Sequence, residues 1–362
     1  LPPKNIIINK KKAKKKSGNK SPGPIRVAIL GVGNVASVLV QGLSQSRLDG
    51  VWHPVVGGFH LKDIEISAAF DIDKNKIGKD LSEAIFCPPN VSPKLCDVKG
   101  KGIKVEPGLA RGDVPPHLKS SIAENNPSFS QSLKDSDTHL VLNLLPSGMQ
   151  ETSRVYAEAA LEAGCDFINA TPATLACDPL LVKRFSKSGL ILVGDDLMSQ
   201  FGGTAFHKGI LEFINGRGLK IEKSYQLDVG GGTETLNTIT EEVKAAKREI
   251  KSEAIAVEVP YKFATVAGTT DYVDYMGNNR TSYFWISAKS LFGVETRVDV
   301  YLRTNDGTNA ANVIYDVIRA VASSKRRKMY GSPAEICDYG FKKLRRPMLL
   351  KDALAAFSRK YI

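Results

Sequence analysis

The sequence predicts an α/β protein, a Rossmann-type parallel sheet domain joined to a second α+β domain, and three observations carry that prediction. Short apolar runs alternate with amphipathic stretches from residue 25 to about residue 200, the pattern of an open parallel sheet. A Gly-x-Gly turn follows the first apolar run directly. Beyond Ser199 the rhythm changes to period-two alternation, which marks a different, half-exposed sheet.

The elements follow in order. Residues 1–24 hold eight lysines and no acid, so eight of the twelve net positive charges lie there and +4 remains for the rest of the chain. This stretch ends in Ser-Pro-Gly-Pro and reads as a disordered basic tail. It could hold RNA or an anionic surface weakly through counterion release, although no aromatic is present to stack on bases. Strand Ile25–Leu30 runs into Gly31 and Gly33, then a helix to about Arg47, a strand Ile64–Asp71 and a helix Lys74–Phe86. Residues 87–116 are rich in Pro, Gly and Lys and read as a surface excursion, followed by a helix near Leu118–Leu133 broken at Pro127. Strands at Thr138–Leu145, Asp166–Ala170 and Leu190–Gly194 then alternate with helices at Gln150–Ala163 and Asp178–Lys187. The second domain, residues 201–306, opens with a helix Phe201–Asn215. Strands at Lys220–Val229, Tyr261–Ala267, Ser282–Ala288 and Thr296–Arg303 form a largely antiparallel sheet with edges free for oligomer pairing. Helices Asn309–Lys325 and Leu349–Ser358 return to complete the first domain, residues 25–200 with 307–362.

No apolar run approaches the ~18 residues of a membrane span, and no secretory leader is evident. The five cysteines are odd in number and lack CxxC spacing, which argues against a disulfide framework or zinc cage and for the cytoplasm. The five histidines show no metal-ligand spacing and read as surface or packing residues, so no metal site is expected.

The Gly-x-Gly turn points to a dinucleotide. Gly31 and Gly33 let the backbone turn sharply and approach a pyrophosphate, and the following helix offers free N–H groups at Asn34, Val35 and Ala36. Asp71, at the end of the second strand, is placed to accept from an adenosine ribose and would repel a 2′-phosphate, so NAD is expected over NADP. The interval from Gly31 to Asp71 exceeds the usual ~20 residues, and an insert at residues 52–59 accounts for it.

Several segments taken together resemble the myo-inositol-1-phosphate synthase family, closest to its shorter archaeal and actinobacterial branch. They are Gly31-Val-Gly-Asn-Val-Ala-Ser37, Phe70-Asp-Ile-Asp73, Lys79-Asp-Leu-Ser-Glu-Ala-Ile-Phe86, Phe167-Ile-Asn-Ala-Thr-Pro172 and Gly194-Asp-Asp-Leu-Met-Ser-Gln200. The resemblance implies an NAD-dependent isomerase that turns glucose 6-phosphate into inositol phosphate by oxidation, enolisation, intramolecular aldol closure and reduction. It also implies a homotetramer. It places Leu145, Pro146, Thr171, Asp195 and Asp196 at the cofactor, and Lys247, Lys251, Lys342 and Asp306 in the catalytic cavity. Ser199, Gln200, Gly202, Gly203 and Thr204 open a helix and are the candidates for the sugar phosphate. Spacing alone leaves Lys247 and Lys251 open to a second reading as a solvated basic helix face beside Lys244 and Arg248.

At three positions the chain departs from the family pattern. Met198 stands where the family has lysine, Gly232 where it has asparagine, and Thr281 where a lysine follows Arg280. These changes imply a rearranged site, another sugar phosphate as substrate, or a non-enzymatic NAD-binding scaffold with an RNA-binding tail.

Overall fold

The computed structural model describes residues 23–46, 49–100 and 102–362. The basic tail therefore lies almost entirely outside the described residues.

Among the described residues, six parallel strands form the first sheet, in the order β3-β2-β1-β4-β5-β6. They are β1 (Ile25–Leu30), β2 (Ile64–Asp71), β3 (Val105–Pro107), β4 (Leu140–Asn143), β5 (Asp166–Asn169) and β6 (Leu192–Val193). The chain turns from one wing to the other between β1 and β4, and such a reversal leaves a crevice at the carboxyl ends of the strands. β1 and β4 are buried almost throughout, as strands covered on both faces must be. One face is covered by α1 (Asn34–Leu43) and the other by α3 (Phe129–Asp135), α4 (Gln150–Ala163) and α5 (Pro179–Lys187).

One expectation fails in this half. The helix expected over Lys74–Phe86 shrinks to α2 (Leu81–Ala84), because Gly78 takes a φ of +81° that no helix admits and Asp80 caps the chain afresh through Ser82 N. The helical stretch near Leu118–Leu133 is interrupted at Pro127 as expected, with a 3₁₀ turn at Pro116–Ser121 before it and α3 after it. The surface excursion also carries more order than expected, since Val105–Pro107 adds a strand beside β2. The insert after α1 wraps onto the long helix α9 (Asp306–Arg326). There, Trp52 N donates to Asn312 and Arg319 donates to the carbonyls of His53 and Pro54.

α6 (Gly203–Gly216) leads to the second sheet, of order β10-β9-β7-β8. It comprises β7 (Lys220–Gly230), β8 (Ala264–Tyr272), β9 (Asn279–Lys289) and β10 (Glu295–Asn305). β9 pairs antiparallel to both β7 and β10, but β7 and β8 run parallel. The reason is the connection between them: α7 (Thr233–Thr238) and α8 (Glu241–Ala256) form a crossover, which returns the chain to the same end of the sheet. α9 begins at Asp306 rather than Asn309, capped by Asn305, and packs on α1. α10 (Ala334–Gly340) and α11 (Leu350–Tyr361) complete the first core.

Candidate active site

The glycine turn is built as its chemistry requires. Gly31 takes a φ of +86°, and a Cβ there would meet the Leu144 carbonyl oxygen at 3.0 Å. At Gly33 an added Cβ meets no protein atom within 4 Å, so the backbone borders open space in front of α1. Asp71 sits beside the turn, accepting from Val32 N at 2.8 Å and Asp73 N at 2.9 Å. The buried Lys76 ammonium lies 3.6 Å from it and donates to Val32 O and Asn90. Asn34 reaches the excursion, where its side-chain oxygen accepts from Val91 N at 2.8 Å.

This turn opens into one cleft, whose lining includes Gly31, Gly33, Asn34, Val35, Ala36 and Asp71. Leu145, Pro146 and Thr171 stand along its wall, and Ser199, Gly202, Gly203 and Thr204 contribute the N-terminus of α6. Lys247, Lys251, Lys342 and Asp306 line the same cleft, with Lys247 and Lys342 near enough to Lys251 to act on its charge. The three lysines thus converge. On α8, Lys247 and Lys251 face inward while Arg248 is exposed, which removes the solvated-face reading.

Each lysine faces a carboxylate. Lys251 Nζ donates to Asp228 Oδ2 at 2.6 Å and Lys342 Nζ lies 2.8 Å from Asp196 Oδ1. Lys247 donates to Glu234, which also accepts from the Ser147 hydroxyl. Arg280 spans two acids, lying 2.7 Å from Asp306 Oδ2 and 3.5 Å from Asp228 Oδ2. Burial pulls the Lys251 ammonium below the usual lysine range; Asp228 opposes this, and Arg280, Lys342 and Lys247 reinforce it. Burial opposes ionisation of Asp228, yet Lys251, Arg280 and the hydrogen bonds it accepts hold it well below the usual carboxylate value. Glu234 is held low in the same way by Lys247 and Ser147. Arg280 loses some affinity for its proton on burial and regains more from Asp306 and Asp228.

Two of the expected site residues do not reach the cleft. Asp195 is fully buried and accepts from the backbone of Leu175, Ala176 and Cys177 and from Asn169, so it holds the β5–α5 loop together. Burial raises its carboxyl despite those donors. Gln200 is turned to α9, where it accepts from Asn312 at 2.7 Å.

The three departures also take their places. Met198 is buried and lines the cleft, as does Gly232. Thr281 does not. Ser282 and Phe284 point inward and are buried, so the alternation of a strand sends Thr281 to the outer face with Tyr283. There it borders a shallow groove with Arg303 and Asn305. The inward cation on this strand is Arg280.

Sequence reasoning missed Asp228, Glu234, Arg280, Ser147, Lys76 and Asn278, all of which line the cleft. The signal for Asp228 was the inward side of β7, where Ser224, Gln226 and Asp228 occupy positions that a core strand fills with aliphatics. Two buried polar atoms of the cleft, Asp196 Oδ2 and Asn278 Nδ2, have no hydrogen-bond partner among the described residues. An unpaired acceptor and an unpaired donor in one cleft, with open space before a helix N-terminus, suit a polar, phosphorylated ligand such as a dinucleotide.

Residues 202–307 match the family model described as myo-inositol-1-phosphate synthase. The chain is 32% identical over 320 residues to the inositol-3-phosphate synthase of Mycobacterium tuberculosis, covering 85% of this chain and 87% of that protein. It is 32% identical over 329 residues to the inositol-3-phosphate synthase of Corynebacterium glutamicum, covering 86% and 91%. The crystal structure of a myo-inositol-1-phosphate synthase-related protein from Thermotoga maritima superposes with a TM-score of 0.79 at 20% identity, over 93% of this chain and 98% of that one; this likeness concerns the fold. The extent of the match to the mycobacterial and corynebacterial enzymes settles the relationship: this chain belongs to the myo-inositol-1-phosphate synthase family.

Proposed function

We propose that the protein is an NAD-dependent inositol-3-phosphate synthase, which converts glucose 6-phosphate to inositol phosphate. The observation that carries this reading is the convergence of Lys247, Lys251 and Lys342 on the cleft that also contains the glycine turn and Asp71. Residues 201–306 supply most of the catalytic surface, and residues 25–200 with 307–362 the dinucleotide side.

NAD fits the turn: Gly31, Gly33, Asn34, Val35 and Ala36 would hold its pyrophosphate and Asp71 its ribose, with Leu145, Pro146, Thr171 and Asp196 as further lining. When bound, it would supply the hydride acceptor for C5 of the open-chain sugar and the donor for the later reduction. Ser199, Gly203 and Thr204 hold the sugar phosphate at the α6 N-terminus, where free N–H groups and the helix dipole favour a dianion.

The remaining chemistry is proton transfer and charge stabilisation by side chains. Oxidation at C5 releases the hydroxyl proton, and Lys251 Nζ, whose affinity for a proton is reduced by burial, is suited to take it. Enolisation and aldol closure place negative charge on substrate oxygens. Lys247 and Lys342, ammonium groups held by Glu234 and Asp196 and themselves largely buried, stabilise that charge. Arg280 contributes a fixed positive charge but no proton, because its guanidinium stays charged and is clamped by Asp306.

The outer face of the second sheet supports the homotetramer reading. Tyr225, Leu227, Tyr283, Trp285 and Tyr301 share it, and Tyr301 is 75% exposed. A contiguous aromatic face of this kind marks an interaction surface, and a second copy of the chain is its proposed occupant.

The test is turnover with less NAD than sugar. Inositol phosphate, resolved from glucose 6-phosphate by phosphorus NMR, is expected in molar excess over the NAD supplied. Product limited to one equivalent of NAD, or no product, contradicts the reading.

A further inference from the structure

A buried polar chain lies beneath Lys251 and takes no part in the chemistry above. His207 of α6 is fully buried against the inward side of β7. Its Nε2 lies 3.1 Å from Ser224 Oγ and its Nδ1 3.4 Å from Gln226 Oε1. Gln226 Nε2 donates to Asp228 Oδ1 at 2.8 Å, and Ser282 Oγ donates to the same oxygen at 2.6 Å. Lys251 Nζ donates to the other carboxylate oxygen at 2.6 Å. At the far end Ser224 Oγ lies 2.8 Å from Thr265 Oγ1.

Elementary hydrogen-bond inventory fixes the direction of every link. The Asp228 carboxylate only accepts, so Gln226 must turn its NH₂ toward it and its carbonyl toward His207. That carbonyl accepts in turn, so His207 must carry its proton on Nδ1. Burial keeps His207 neutral, with its pKa pushed down to about 4 against the opposing pull of Gln226 and Asp228. Nε2 is then an acceptor, and the Ser224 hydroxyl supplies it. All donors point toward Asp228.

The surroundings hold this arrangement in place. A Cβ at Gly203 would lie 2.2 Å from Gln226 Nε2, so only a glycine there leaves room for the amide. Phe284 meets the His207 ring edge-on, with centroids 5.5 Å apart.

We propose that His207 is a positioning residue for the reaction: through Gln226 it locks an amide donor onto Asp228 and so weakens that carboxylate's hold on the Lys251 proton. The inference rests on Lys251 being the proton-transferring lysine proposed above. A carboxylate that accepts more hydrogen bonds is a weaker base, and the ammonium paired with it gives up its proton more easily. The other charges around Lys251 are Arg280 on β9, Lys247 on the same helix and Lys342 after α10, backed by Asp306, Glu234 and Asp196. His207 touches none of them in the contacts described.

Three variants of the full chain test this: His207→Leu removes the donor to Gln226, His207→Asn keeps a donor near the Nδ1 position, and Gln226→Met removes the amide at similar length. Competitive acetylation with acetic anhydride across pH, followed on the Lys251 peptide by mass spectrometry, reads the lysine directly and without turnover. The midpoint for His207→Leu and Gln226→Met is expected to rise by about one pH unit, with His207→Asn returning close to the unmodified protein. The same shift is expected in the pH profile of kcat. Should His207→Leu fail to fold, Gln226→Met carries the test alone. One midpoint shared by all the folded variants overturns the positioning role, even where kcat falls. A midpoint that moves while the pH profile of kcat stays fixed upholds the relay and removes Lys251 from proton transfer.

Discussion

Lys251 Nζ lies 2.6 Å from Asp228 Oδ2, and both side chains are almost wholly removed from bulk water, at 7% and 1% exposure. The two partners are not equivalent. Asp228 is also held by Arg280, Ser282 and Gln226, so it remains compensated when the lysine is lost. Without Asp228, Lys251 keeps no carboxylate and Arg280 keeps only Asp306.

Lys251→Met is therefore expected to fold and to lose activity by about 10²–10³-fold, the scale of one missing charge-stabilising or proton-transferring group. Asp228→Asn is expected to destabilise the protein by about 3–5 kcal/mol, because the buried Lys251 ammonium is left unpaired. Urea unfolding alongside kcat measurement separates the two effects. Equal stability losses for both variants contradict this asymmetry.

Acid stability follows from the same pairs. Asp228 and Glu234 both titrate below their ordinary values of 3.8 and 4.5 in the folded protein. Their contribution is complete above those values and fades as pH falls through the folded ones. Melting temperature is expected to decline as pH drops below about 4.5, and Glu234→Gln is expected to flatten part of that decline. A profile unchanged by Glu234→Gln removes this residue from the linkage.

Asp71 and Asp195 divide the roles that the sequence assigned to them jointly. Asp71→Asn is expected to weaken NAD binding by about tenfold or more and to narrow its preference over NADP. Asp195→Asn turns an NH₂ group toward backbone donors and is expected to cost roughly 1–3 kcal/mol in stability, with the NAD dissociation constant unchanged in the folded fraction. Calorimetric titration of both variants tests the division.

On β9 the face decides the outcome. Arg280→Met removes the cation shared by Asp306 and Asp228 and is expected to lower kcat by about 10²-fold or more. Thr281→Lys places a new cation on the outer face and is expected to leave kcat within about twofold. Restored or enhanced turnover in Thr281→Lys would mean that this residue reaches the cleft.

The parts of the site legible in the sequence are those with local rules. Gly31, Gly33 and Asp71 announce themselves because a strand, a tight turn and a helix N-terminus must be contiguous. Lys247 and Lys251 share a face because they are one helical turn apart. Asp228, Arg280 and Asp306 were harder, since β7, β9 and the start of α9 meet only through long-range pairing. Period-two reading still held usable information: extending the β9 alternation back two residues separates Arg280 from Thr281. The parallel pairing of β7 with β8 was hidden for a related reason, as the direction of a strand depends on where its connecting helices run. Asp195 and Asp196 could not be told apart, because a φ of +62° at Asp196 turns the second carboxylate to the cleft and leaves the first in the loop.

In the proposed reaction one cleft oxidises, closes and reduces the same sugar, with hydride returned to the molecule that supplied it. Glucose 6-phosphate deuterated at C5 tests this directly in the purified protein with NAD. Inositol phosphate is expected to retain the deuterium at the corresponding ring carbon, without net accumulation of reduced cofactor. Deuterium found in accumulated NADH, or in a sugar phosphate that has not cyclised, would contradict it.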